Sequence, residues 1–405
     1  MISVEEARAQ ITAAMPLMPG EQIALADAFG RVLAEDVVAR RTQPPKAVSA
    51  MDGYAVRAAD VASLPARLTI IGEVPAGQFY DGTVGQAEAV RIFTGAPVPH
   101  GADTIVIQEN TTRDGNHVDV TDGNAPVGRF IRPAGLDFSE GDTLLTAGRR
   151  LTARDMGLAA GMNVPWLKVR RKPRIALLAT GDEIVMPGDP IGPNQIVSSN
   201  ALALHALIIA CGGEPVDLGI APDSEDALRT MAEGARGADM LVTTGGASVG
   251  DHDLVQKVLG DIGLKVGFWR IAMRPGKPLM FGQMDSTQMM GLPGNPVSAL
   301  VCATIFLWPA LNAMLGLGGQ GITERRAVLA APLPENDERE DYLRASLAPA
   351  DDGRLLATAF SKQDSSVFSG LARADCLIIR APFAPAASKG DAVTIIPLAG
   401  GSQSI

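Results

Sequence analysis

Arg174-Ile-Ala-Leu-Leu-Ala-Thr-Gly-Asp-Glu183 decides the fold. Its apolar run has the length of a strand buried on both faces of a parallel sheet, and a glycine and two carboxylates follow where the strand ends. Asp239-Met-Leu-Val-Thr-Thr-Gly-Gly246 repeats the design, and Ala247-Ser-Val-Gly-Asp-His-Asp253 then opens a helix through Val255, Val258 and Leu259. Between these two stretches, residues 215–221 read as a third strand with Asp223 just beyond its end, ahead of a helix over residues 225–233. Strands alternating with helices in this way predict an open, mostly parallel α/β sheet with helices on both faces.

In such a sheet, right-handed crossovers bring the strand carboxyl ends to one edge, where ligands bind. Asp182, Glu183, Asp223, Asp251 and Asp253 are therefore expected at one crevice. Thr244-Gly-Gly-Ala-Ser-Val-Gly250, with Gly245, Gly246, Ser248 and Gly250, suits an anion, because glycines let backbone N–H groups approach it at a helix N-terminus. Carboxylates beside a phosphate call for a divalent cation, most plausibly Mg²⁺. Arg270, Arg274 and Lys277 in Trp269-Arg-Ile-Ala-Met-Arg-Pro-Gly-Lys-Pro278 supply cations for an anionic ligand. Leu292-Pro-Gly-Asn-Pro-Val-Ser298 predicts Asn295 as a helix cap and Pro296 in the first turn, ahead of an apolar helix over residues 299–315. Each signal alone is an ordinary turn, cap or solvated charge; their coincidence in one domain indicates a site.

Gly246-Ala-Ser-Val-Gly250 also matches the serine-hydrolase elbow. That fold needs a histidine well downstream of the serine, and the last of the four histidines is His252, on the same turn as Ser248. A serine hydrolase is excluded.

The 405 residues carry a net charge of −10 and only 4% aromatic residues, which argues against nucleic acid and anionic membrane as partners. Three scattered cysteines, Cys211, Cys302 and Cys376, form no metal or disulfide pattern and suit a reducing cytoplasm. No basic-then-apolar leader opens the chain, and the longest apolar candidate, residues 299–317, is interrupted by Pro309 and reads as a core helix.

The organisation expected is multidomain α/β plus β. Residues 1–42 and 139–172 form a discontinuous helical linker and dimerisation domain, with Ser3-Val-Glu-Glu6 and Thr152-Ala-Arg-Asp155 opening helices, a second amphipathic piece over residues 23–38, and residues 164–171 as a connector. Residues 43–138 form an inserted β-rich domain whose strands lie at 67–72, 89–93, 104–108 and 117–120; Asp52 and Thr94 sit in its loops as turn residues. Residues 173–318 form the three-layer α/β domain, and residues 319–405 a C-terminal β-barrel.

Met51-Asp-Gly-Tyr-Ala, Thr94-Gly-Ala-Pro, Thr180-Gly-Asp-Glu, Gly245-Gly-Ala-Ser-Val-Gly-Asp-His-Asp, Arg274-Pro-Gly-Lys-Pro and Leu292-Pro-Gly-Asn-Pro-Val-Ser together resemble the molybdopterin molybdenumtransferase family, the molybdenum insertases of MoeA type. The resemblance spans nearly the whole chain. It implies an elongated homodimer of four-domain subunits, with a cleft between the α/β domain of one subunit and the inserted domain of the other. The implied substrates are adenylylated molybdopterin and molybdate, with Mg²⁺ assisting AMP release. It assigns catalytic roles to Asp52, Thr94, Glu183, Asp223 and Asp253, with Glu183, Asp223 and Asp253 as metal ligands. Arg132, Arg270, Arg274, Lys277, Arg344 and Ser365 become candidates for holding phosphate, pterin or molybdate, together with the glycine nest and Pro293, Asn295 and Pro296. The residues alone give Arg344 and Ser365 structural or solvent roles. Arg270 and Arg274 stand where relatives often have lysine. Transient contact with molybdopterin adenylyltransferase and with apo-molybdoenzymes, and a cytoplasmic location, are further expectations. The α/β domain alone also resembles molybdopterin adenylyltransferase and nucleotide pyrophosphatases, and a non-catalytic scaffold on the same fold is a third reading.

Overall fold

The computed structural model describes residues 1–75, 77–245, 254–318, 322–350 and 352–398. The stretch that opens the sequence reading forms the Arg174–Thr180 strand, buried from Ile175 onward, inside a six-stranded main sheet. Glu214–Ala221 and Met240–Thr244 flank it in parallel, and Thr287–Leu292 continues the parallel run beside Met240–Thr244. Met280–Met284 and Leu264–Trp269 complete the sheet antiparallel. The parallel strands are nearly continuous apolar runs because both faces are covered. On one face, the Glu225–Glu233 and Leu254–Asp261 helices bury Leu228, Ala232, Val255, Val258 and Leu259. On the other, the Asn200–Ala210 helix and the helix beginning at Pro296 close a larger core.

That last helix runs over Pro296–Met314 and loosens into a π turn at Ala303–Leu307, ahead of Pro309. It is long and apolar enough by length and composition to cross a membrane, but 83% of it is buried inside the protein, where it packs against the main sheet and the first helix, Val4–Ala14. The uncharged run therefore reaches bilayer length after all, and burial accounts for its composition. The first helix is capped by Ser3, whose hydroxyl accepts from the Glu6 amide, and it buries Val4, Ala7 and Ile11 in this same core.

The piece over residues 23–38 is not an α-helix: it holds one 3-10 turn, Leu25–Asp27, between short paired strands. Gly20–Ala24 pairs antiparallel with Trp166–Arg170, so the expected connector over 164–171 is a strand, and Val37–Val38 pairs with Thr143–Leu145. Its apolar residues, Ala28, Leu33 and Val37, share a cluster with Phe138, Leu145, Leu151, Met162 and Val169. Tertiary pairing overrode a helix-like spacing.

The inserted sheet has six strands in the order Thr104–Ile107, Gly53–Val56, Glu88–Ile92, Ala66–Val74, His117–Val120, Thr111–Asp114. Gly53–Val56, expected as loop, is an interior strand bonded on both sides and fully buried. A side chain at Gly53 would run into the Val106 carbonyl, so the strand starts with the one residue that lets its neighbour approach.

Near the C-terminus, Arg325–Leu329, Glu340–Pro349, Leu355–Ala359, Cys376–Arg380 and Ala392–Pro397 close into a five-stranded barrel, because Glu340–Pro349 pairs with both Leu355–Ala359 and Cys376–Arg380. A sixth strand comes from the α/β part: Met273–Arg274 pairs in parallel with Glu340 and Asp341. Tyr342, Leu377 and Ile396 of the barrel enter the large core under the main sheet.

Candidate active site

The parallel strands deliver their ends to one edge. The Gly181 amide donates to Ala221 O at 3.2 Å, and the Asp223 amide donates to Asp182 Oδ1 at 3.0 Å, which stitches two acidic loops together. Gly181 has φ +137°, and a Cβ there would collide with the Glu183 carboxyl group, which lies back over the bare Cα. Asp182, Glu183 and Asp223 are all exposed. Gly245, at φ +90°, rests on Thr180: its Cβ would strike the Thr180 carbonyl oxygen and lie 3.0 Å from Thr180 Oγ1. That hydroxyl is buried and makes no hydrogen bond. Asn200 Nδ2 donates to Gly294 O at 2.7 Å, drawing the turn before the Pro296 helix to the same edge.

The barrel supplies the other wall. Asn295 makes no side-chain cap for its helix; its Nδ2 donates instead to Ser365 Oγ at 2.9 Å, while the Val297 amide donates to Ser365 O at 3.2 Å. Asn295 is the N-cap residue as expected, its carbonyl accepting from the Ala299 amide and Pro296 opening the helix, but its side chain faces the barrel rather than the helix. Beside Ser365, Arg344 is only 1% exposed, yet among the described residues its one side-chain hydrogen bond is from Nη2 to Asp364 O at 3.0 Å, and its Nε has no partner there. Burial lowers the Arg344 pKa against the pull of Asp341 and Asp364. Leaving a buried N–H unpaired costs about 1–3 kcal/mol, so the Arg344 guanidinium is held at a cost to the folded protein.

Of the candidate cations, Arg270, Lys277 and Arg132 form no ion pair among the described residues. Arg270, at φ +84°, stacks on Trp269 with its guanidinium 5.4 Å from the ring centroid. Its amide donates to Leu279 O, and Lys277 O accepts from the Ile271 and Leu279 amides, so Arg270 and Lys277 share one exposed turn. Arg132 is exposed on a short strand pairing with Val48–Ser49. Arg274 differs: it reaches Asp341 from Nε at 3.1 Å and Nη2 at 2.5 Å, Asp337 from Nη1 at 3.0 Å and Asn336 from Nη2 at 3.2 Å. These bonds raise its pKa, the Asp341 hydrogen bond most. Its fork is occupied as a strut between the α/β part and the barrel.

Asp52 and Thr94 form a second, separate cluster. The Asp52 Oδ1 atom accepts from the Thr94 amide and the Thr94 hydroxyl, both at 2.7 Å. The amide bond, then the hydroxyl bond and the nearby charge of Arg91 hold this carboxyl below the usual range. The pair lies at the edge of the inserted sheet, and among the described residues no strand of that sheet packs extensively against the main sheet.

Family comparison covers almost the whole chain. Residues 2–162 match the MoeA N-terminal region (domain I and II), residues 176–313 the probable molybdopterin binding domain, and residues 326–398 the MoeA C-terminal region (domain IV). A molybdopterin molybdenumtransferase from a Nostoc strain is 37% identical over 87% of this chain and 83% of its own. One from Haemophilus influenzae is 33% identical over 98% of both chains. The chain belongs to the MoeA family. The fold agrees: the crystal structure of the MoeA molybdopterin biosynthesis protein from Pyrococcus horikoshii superposes with a TM-score of 0.85 at 30% identity, over 99% of this chain and 100% of that one.

Of the residues that MoeA membership singles out, the structure gathers Glu183, Asp223, Gly245, Pro293, Asn295 and Pro296 at the main-sheet edge, with Arg344 and Ser365 against the start of the Pro296 helix. Asp52 and Thr94 meet each other, and among the described residues no hydrogen bond or ion pair joins them to this edge. Gly246, Ser248, Gly250, Asp251 and Asp253 lie outside the described residues. Among the described residues, no three His, Cys, Asp or Glu side chains cluster as a ready-made metal cage. Three participants were missed from sequence: Thr180, Asn200 and Arg91. Thr180 was legible as the last strand residue before Gly181, but its idle hydroxyl was not. The cysteines are buried, with Cys211 and Cys376 pushed up to about 12 by burial, so none is poised as a nucleophile.

Proposed function

We propose that this protein transfers molybdenum from molybdate into adenylylated molybdopterin and releases AMP, giving the molybdenum cofactor. The observation that carries the reading is the opposition of exposed acids on the strand-end loops to the buried, under-bonded Arg344 beside the Asn295–Ser365 contact. The names of the full-length relatives support the same chemistry.

In this reading, the idle N–H of Arg344 and the polar groups of Ser365 and Asn295 hold molybdate oxygens, and Arg270 and Lys277 draw in the substrate's phosphates. The donor set at Glu183 and Asp223 fits Mg²⁺, a hard cation that keeps most of its waters and takes one or two carboxylates alongside a substrate phosphate. When bound, that ion neutralises charge on the bridging phosphate. Asp52, held ionised by Thr94, orients the water or molybdate oxygen that adds to phosphorus as the bond to AMP breaks. In this reading the inserted sheet of a second copy completes the cleft, since no bond among the described residues joins the Asp52–Thr94 pair to the acidic loops of its own chain, and the working form is a homodimer in the cytoplasm. Positioning and electrostatics carry most of the rate. Transient contacts with molybdopterin adenylyltransferase and with apo-molybdoenzymes would pass substrate in and product on.

The test is Asp223→Ala with adenylylated molybdopterin and molybdate. AMP release and molybdenum insertion both fall on the order of 10²-fold. Wild-type rates of both would overturn the role of Asp223.

A further inference from the structure

Arg91 lies on the inserted sheet, one strand over from Asp52. Its register partner is Tyr54, whose ring centroid is 5.2 Å from the guanidinium carbon; the Phe93 centroid is 4.7 Å away. Two rings thus hold the guanidinium by cation–π attraction and fix where its fork points. Its Nη1 donates to Gly53 O at 2.9 Å and its Nη2 to Gln108 Oε1 at 2.6 Å. Gly53 is the residue after Asp52, Phe93 the residue before Thr94, and Gln108 follows the Thr104–Ile107 strand, its amide donating to Asp52 O at 3.1 Å. One side chain therefore reaches all three segments that bear on the Asp52–Thr94 pair.

We propose that Arg91 is the positioning residue of the Asp52–Thr94 pair: held against Tyr54 and Phe93, it ties the strand that starts behind Asp52 to the strand that ends before Thr94. The inference rests on the catalytic role proposed for Asp52. Ladder hydrogen bonds fix the strands only as far as Gly53 and Ile92. Beyond that point the backbone is tied by single bonds, from the Gln108 amide to Asp52 O, the Phe93 amide to Val74 O and the Gly95 amide to Ser49 O, and Arg91 adds a side-chain tie from the strand that ends before Thr94 to Gly53 and Gln108. It also contributes charge: among the described residues it is the one charged group acting on Asp52, and it favours the ionised form. Lysine cannot replace it, because an ammonium lacks the two-pronged donor that spans Gly53 and Gln108.

The experiment measures AMP release across pH for Arg91→Lys, Arg91→Met and Asp52→Asn in the full-length protein, with thermal unfolding of each. Asp52→Asn tests the parent reading: if it is fully active, that reading fails, whatever Arg91 does. With Asp52→Asn inactive, Arg91→Met is expected to lower kcat about tenfold or more and to move the acid limb of the kcat/KM profile to higher pH, since the carboxyl loses a cation that keeps it ionised. Arg91→Lys keeps the limb in place and still loses kcat. Gln108→Ala, which removes one anchor and no charge, lowers kcat a few-fold with an unmoved limb, and it carries the test if Arg91→Met does not fold. Wild-type kcat and an unmoved limb in Arg91→Met, or wild-type kcat in Gln108→Ala where Arg91→Met is unfolded, overturns the proposal.

Discussion

Arg344 is the residue whose removal separates structure from binding most cleanly. A buried guanidinium with an idle Nε is a burden to the folded protein unless a ligand answers it, and replacing such a group with an apolar one of similar length is often neutral or stabilising. Arg344→Met is therefore expected to keep or raise the unfolding temperature while weakening molybdate binding at least about tenfold, read by calorimetric titration of the full-length protein. A variant that loses stability and binds molybdate normally would make Arg344 a packing residue. Nothing local in the sequence distinguishes this arginine, since it sits mid-strand between Leu343 and Ala345, where the alternation alone gives a solvent-facing side chain. Arg274 was equally opaque: its acceptors Asp337 and Asp341 lie more than sixty residues on, and only the borrowed strand brings them together.

At the scale of elements, the buried parallel strands and their acidic ends were legible because a double-sided apolar run followed by glycine has few other solutions. Gly53–Val56 was not, because four residues led by Asp-Gly look like a turn, and the two neighbours that make them a strand are remote in sequence. The helix Ala153–Gly161 was readable from its cap. Thr152 and Asp155 form a capping box, and Asp155, nearly inaccessible, also meets Arg149 at 2.8 Å. Burial pushes the Asp155 pKa up, but the bonds from Arg149 and from the Thr152 amide and hydroxyl outweigh it and hold the group below its usual value. A depressed carboxyl contributes stability above its unfolded pKa, about 3.9, and loses it as pH falls through the lower folded value. Asp155→Ala should cost about 2 kcal/mol near neutral pH. The gap in unfolding temperature from wild type should narrow between about pH 6 and about pH 3. A gap independent of pH would mean that the ionised form contributes nothing.

For the whole molecule, the proposed sharing of each cleft between two copies becomes a counting experiment. If each cleft joins the main sheet of one copy to the inserted sheet of another, Asp52→Ala and Asp223→Ala are each inactive alone but complement when mixed under conditions of subunit exchange. Each mixed dimer then carries one intact cleft and one doubly altered cleft, so random pairing restores about a quarter of wild-type AMP release. No restoration, with exchange verified, would place both carboxylates in a cleft made by one chain.

The strand Met273–Arg274 belongs by sequence to the α/β part and by pairing to the barrel, and Tyr342, Leu377 and Ile396 fill the space beneath the main sheet. The last eighty or so residues are thus no detachable module. A lineage that shed them would inherit a raw oily flank and a stranded arginine, so loss of the barrel demands simultaneous resurfacing of the domain left behind.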